Sequence, residues 1–165
     1  MPFTPFHFGV SACVALPLNR YIDLPVFVLA NVAIDIEPLI VMIFDLAYPL
    51  HGYAHTLLGG TIIGVLCGVL ANSAKSPLSF VIERMLRLSY SNSLKKYIFS
   101  GVSGTWFHIF LDSTLYTDIK PFYPFNSNPL FGIVQSDTVY KYCALAFIPA
   151  ILLYFLLVKI ENKKL

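Results

Sequence analysis

The chain has 165 residues, 57% of them hydrophobic and only 12% charged, with a mean hydropathy of +0.72; this is about half the charge of an ordinary soluble domain and argues against a water-soluble globule. A net charge of +2, from eleven basic and nine acidic residues scattered along the chain, excludes the concentrated basic patch of a nucleic-acid-binding protein. Cys13, Cys67 and Cys143 stand singly in apolar runs, which argues against a disulfide framework or a thiolate metal site.

The length fits one domain, residues 1–165, and the apolar content predicts an all-α, polytopic membrane bundle of four to five transmembrane or half-spanning helices. The opening MPFTPFHFGV lacks the basic start and cleavage site of a signal peptide, so residue 1 is expected to belong to the working protein. Thr4 and Pro5 read as a cap and first-turn proline opening a helix to about Leu18. After a polar break at Asn19, Arg20 and Asp23, an apolar run from Pro25 to about Tyr48 is interrupted by Asp35-Ile36-Glu37-Pro38. Because a proline disfavours helix at the residue before it, two short helices are predicted there.

Thr56–Ala71 is a predicted span, with glycines at 60, 64 and 68 on one face that permit close helix contact. Packing within the monomer is the expectation, and a homo-oligomer is the alternative. Leu78–Tyr90 mixes apolar residues with Glu83, Arg84 and Arg87 and reads as an interfacial amphipathic helix. Tyr97–Tyr116 is a third span, long enough but carrying His108 and Asp112. The aromatic, proline-rich connection Thr117–Thr138 reads either as a lid or rim over a site or as an aromatic belt. Tyr142–Val158 is the last span; it contains Pro149, which a spanning helix tolerates when neighbours satisfy the freed backbone groups.

Positive charge sets the expected orientation. Lys75–Lys96 holds five basic residues, and the C-terminal tail holds Lys159, Lys163 and Lys164; both are expected on the cytoplasmic side of an inner membrane. Segment order then brings His7, Asp35, His55 and Asp112 to the non-cytoplasmic end. An ionisable side chain at membrane depth is costly unless paired or hydrated, so each of these is a functional candidate.

His108 and Asp112, four apart, share one helix face and offer an imidazole and a carboxylate to a divalent metal; a hydrogen-bonded pair is the alternative. His51 and His55 repeat the spacing. Gly52 makes helix doubtful at His51, so His55 is the expected ligand and His51 a catalytic or supporting group. Asp35 and Glu37 split an apolar stretch with no Lys or Arg nearby, which fits either a metal ion or a proton pathway. Glu37 and Asp118 are candidates to contact substrate.

The ordered blocks TPFHFG at 4–9, ANVAIDIEP at 30–38, HGYAHT at 51–56 and GTWFHIFLDST at 104–114 resemble membrane-bound metal-dependent hydrolases of the YdjM type, also described as LexA-binding inner-membrane proteins. That resemblance implies His7, Asp35, His55, His108 and Asp112 as metal-binding and catalytic residues. The order His, Asp, His, then H-x-x-x-D is also similar to zinc-dependent phospholipase C, although no histidine after His108 supplies that enzyme's further H-x-x-x-E pair. The expectation is an integral membrane hydrolase with one or two divalent ions, zinc first among them, acting on a lipid or lipid-linked ester or phosphoester. Asp35 would bridge or serve as base, and His7 would complete the site. A small proton- or cation-handling transporter and a non-catalytic membrane adaptor are the alternatives.

Overall fold

A computed structural model describes residues 5–88 and 93–162, and among these the regular structure is entirely helical. Helix α1 covers Pro5–Ala15; Thr4, expected as its cap, lies outside the described residues. Helix α2 covers Leu24–Ala33 and is capped by Asp23, whose carboxylate accepts the Val26 N–H at 3.2 Å. Helix α3 covers Ile36–Ile43. The break between them falls at Ile34 and Asp35, a little earlier than expected. Pro38 has no N–H to give the Ile34 carbonyl, yet it fits the first turn of α3, where that N–H has no intrahelical partner. Despite the break, Leu24–Ile43 is 20 residues long and apolar enough to cross a membrane.

A single 3₁₀ turn, Tyr53–His55, leads into α4, Leu57–Ser73, capped by Thr56 through a 2.9 Å bond from the Gly59 N–H. Helix α5, Lys75–Phe80, continues as a π-helical turn over Val81–Met85. Together they turn 82° from α4, so α4 qualifies as a span only as part of this bent pair. The segment after α5 is tied down rather than loose: Ile82 and Leu88 pack with Leu16, and Tyr154 donates to the Leu86 carbonyl at 3.0 Å. The expected helix end near Tyr90 lies outside the described residues.

Helix α6, Leu94–Ser113, runs through the centre against α2 and α4. It is long enough to span but is absent from the helices apolar enough to do so. A helix wrapped by its neighbours can carry Ser100, Thr105, His108 and Asp112 inward, and all four are buried. The glycine face of α4 meets α6 within the chain: a side chain on Gly64 would collide with the Val102 backbone, and one on Gly68 with that of Ile98. Thr105 Oγ1 donates across this seam to the Gly60 carbonyl at 2.8 Å. Helices α7, Ser136–Leu145, and α8, Phe147–Glu161, are divided at Ala146, where Pro149 leaves the Leu145 carbonyl without its helical donor. As one 26-residue stretch, Ser136–Glu161 is the second helix able to cross a membrane.

Lys96 and Arg20 lie at the end away from the candidate site residues. Lys96 Nζ donates to the Asn19 carbonyl at 2.7 Å, and the Asn19 amide reaches Glu161 at 3.4 Å, joining the Arg20 turn, the start of α6 and the end of α8. His108 lies twelve residues further along α6, about 18 Å away at 1.5 Å per residue.

Candidate metal centre

Four elements bring the titratable residues together. Asp35 sits at the α2–α3 break, where its carboxylate makes no capping bond to α3. His55 ends the 3₁₀ turn. His108 and Asp112 are one turn apart on α6, with Nε2 of one 3.2 Å from Oδ2 of the other. Asp35 Oδ1 stands 3.2 Å from His108 Nε2 and 3.9 Å from His55 Nε2. One ligand atom from each of Asp35, His55, His108 and Asp112 lies within 4.8 Å of all the others, so the group could hold a metal ion.

The donor chemistry fits such an ion. Nε2 of His7, His55 and His108 and Oδ1 of Asp112 are buried outside any well-formed hydrogen bond, with contacts of 3.2–3.9 Å to one another or to the carboxylates of Asp35 and Asp112, and a buried polar atom left unsatisfied costs on the order of 1–3 kcal/mol. Four ligands about 2.0–2.1 Å from a tetrahedral zinc stand about 3.3 Å from one another, close to the 3.2 Å separations that His108 makes here.

The opposite ring atoms are fixed from behind. Glu37 lies behind His55: its Oε2 accepts from His55 Nδ1 at 3.1 Å and from the Gly52 N–H at 2.9 Å, and its Oε1 accepts from the Ala54 N–H at 3.1 Å. A carboxylate only accepts, so Nδ1 carries the proton and Nε2 presents its lone pair to the group. His108 is oriented by Asn31. The Asn31 amide donates to the Gly104 carbonyl at 3.3 Å and to Ser11 Oγ at 3.2 Å, which turns its oxygen toward His108 Nδ1 at 3.1 Å.

His7 stands just outside the four. Its Nδ1 is 3.1 Å from His108 Nδ1 and its Nε2 is 3.4 Å from Asp112 Oδ1, placing it at the back of two ligands. His51 is not a member either. Asp118 accepts from its Nδ1 at 3.0 Å and from its backbone N–H at 3.1 Å, and its ring lies 4.7 Å from that of His55. The expected substrate contacts, Glu37 and Asp118, therefore each hold a histidine. Asn31 was not singled out from the sequence, although a lone amide four residues before Asp35 in an apolar helix marks the same helix face.

Electrostatics separates the two histidines outside the spanning segments. Burial disfavours a charged His55, but the carboxylates of Asp35 and Glu37, facing its two ring nitrogens, outweigh it and raise its pKa above the ordinary imidazole value. Burial, and then the neighbouring His55, lower the pKa of His51 in spite of Asp118. A cavity of about 160 Å³ opens beside His51, lined also by Tyr48, Asp118, Lys120 and Tyr123.

No protein-family description, curated protein or solved structure matches this chain.

Proposed function

We propose that the chain is an integral membrane, divalent-metal-dependent hydrolase of a lipid or lipid-linked phosphoester or ester, related to the membrane-bound hydrolases that its sequence blocks resemble. The observation that carries this reading is the convergence of His55, His108 and the carboxylates of Asp35 and Asp112, one ligand atom of each within 4.8 Å of all the others, with both imidazoles fully buried. Ion pairs among these groups need protonated imidazoles, whereas a divalent cation accepts the lone pairs of neutral rings and balances Asp35 and Asp112 together.

In this reading Asp35, His55, His108 and Asp112 hold one zinc or similar ion, and Glu37, Asn31 and His7 position those ligands. The ion would supply Lewis acidity, polarising the ester or phosphoryl oxygen and acidifying water. Asp35 and Glu37 form the accessible edge, since their side chains are 19% and 17% exposed while His55 and His108 are fully buried. Asp35 is therefore the group placed to take a proton from an attacking water. Four to five segments cross or enter the bilayer: α1, the α2–α3 pair, α4, α6 and the α7–α8 pair. By the positive-inside rule the Arg20, Lys96 and Lys159 end is cytoplasmic and the site lies toward the other side of the inner membrane.

Elemental analysis of detergent-purified protein tests the assignment, together with lipid-ester hydrolysis followed by mass spectrometry. Stoichiometric zinc or another divalent metal is expected in the wild type and none in a double variant, His108→Ala with Asp112→Ala. Metal retained by that variant, or a correctly folded wild type that takes up none, refutes it.

A further inference from the structure

Two apolar hollows and one polar cavity are linked by shared lining residues, and they reach Glu37 and His51, the residues that flank His55 of the candidate centre. The larger hollow, about 600 Å³, is lined by Ala33, Ile36, Glu37, Ile40, Tyr48 and Ile63 among others. A second, about 390 Å³, shares Ala33 and Ile36 and continues along the α2–α4 seam past Leu29, Cys67 and Leu70. From Ile40 back to Val26 the joined track covers fourteen residue steps, about 21 Å at the helical rise. That exceeds the depth of one leaflet, about 15 Å of a hydrocarbon core about 30 Å thick.

The track differs from other exposed apolar faces in having a polar end. Tyr48 lines both the larger hollow and the cavity beside His51 and Lys120, and its hydroxyl donates to Glu37 Oε1 at 3.3 Å. Glu37 is bonded to His55, and the His51 ring packs edge-on against that of His55. A molecule lying across Tyr48 would therefore have its polar part in the cavity, its hydrocarbon in the track and the junction next to the metal-holding residues. Lys120 is the cation lining the cavity and suits a phosphate.

We infer that the α2–α4 track holds one acyl chain of a phosphate-bearing membrane lipid whose head occupies the cavity lined by His51, Tyr48 and Lys120. The inference rests on the membrane-hydrolase reading and names the substrate class for it.

The test uses the full chain in phosphatidylcholine nanodiscs doped with phosphatidylglycerol that carries a diazirine on one acyl chain. Photo-adducts are mapped by mass spectrometry. Adducts are expected to concentrate at Ala33, Cys67 and Leu70, in excess over the outward face of α8 at Leu152 and Leu156, which reports ordinary surrounding lipid. Ala33→Trp and, independently, Cys67→Trp should lower track labelling several-fold and leave metal content and α8 labelling unchanged. Diacylglycerol with the same label should mark the track less, and Lys120→Ala should erase that preference for phosphate.

Equal labelling of track and α8, or no response to either tryptophan, overturns the acyl-chain site. Diacylglycerol labelling as strong as that of phosphatidylglycerol overturns the phosphate head. Selective labelling in a protein that binds no metal would instead remove the hydrolase reading and leave the lipid site standing.

Discussion

Asn31 and His108, 77 positions apart in the chain, meet through a 3.1 Å bond from His108 Nδ1 to the Asn31 side-chain oxygen. The bond fixes which imidazole nitrogen faces Asp35 and Asp112. Because the Asn31 amide is itself held by Ser11 and the Gly104 carbonyl, α1, α2 and α6 share one buried polar anchor.

Replacing Asn31 with Leu keeps the branched shape, at a larger volume, and removes the acceptor. Loss of such a supporting contact usually weakens metal binding by about 10–100-fold, and that range is expected for zinc titrated into metal-free Asn31→Leu protein. Unchanged affinity would show that His108 is oriented by something else.

Glu37 separates two effects that a single variant would confuse. Glu37→Ala leaves the Gly52 and Ala54 N–H groups without their acceptor, at about 1–3 kcal/mol for each one left unsatisfied, so thermal unfolding in detergent should fall clearly. Glu37→Gln keeps an oxygen for one of them and loses the charge behind His55. It should unfold at a temperature between those of Glu37→Ala and the wild type, and bind zinc more weakly.

Much of this was legible in the sequence because of what a bilayer penalises. His108 and Asp112 stood out as a helical pair in an apolar segment, and Asp35 with Pro38 announced a broken helix; the break, the pair and their meeting with His55 are all present. The glycines at 60, 64 and 68 likewise indicated close packing, which α6 provides. What the sequence did not reveal is which polar residue faces the group and which stands behind it. Glu37 and Asp35 are two positions apart and chemically alike; only the turn at Gly52 and Ala54 wraps one of them and leaves the other toward the site. Asn31 was missed because an amide carries no charge and so does not stand out as an expensive residue. Helix α6 read as a span because its length is right, whereas its polar content reflects burial by α2 and α4 on either side.

Acid should release the metal. His55 must give up any extra proton to bind a cation, and its pKa in the metal-free protein is raised by Asp35 and Glu37, so proton competition begins above the ordinary imidazole value near 6.5. Below the raised pKa, apparent affinity should fall about tenfold per pH unit for this one proton, with further loss as other ligands protonate. A zinc-indicator titration across the neutral and mildly acidic range measures it. Affinity flat through that window would mean that His55 is not a ligand.

Gly64→Leu tests whether the α4–α6 seam sets the site. The new side chain would meet the Val102 and Gly101 backbone rather than a movable side chain, so the helices must separate, at about 1–3 kcal/mol or more for overpacking. Separation would stretch the Thr105 bond to the Gly60 carbonyl and carry the His55 end of α4 away from His108 and Asp112, which α6 holds one turn apart. Both stability and zinc affinity should therefore drop together, although no ligand has been touched. Ile62→Leu on the exposed side of the same helix should change neither by more than about 0.5 kcal/mol. If Gly64→Leu lowers the unfolding temperature but leaves zinc affinity intact, the seam supports the fold without setting the distance between the ligands.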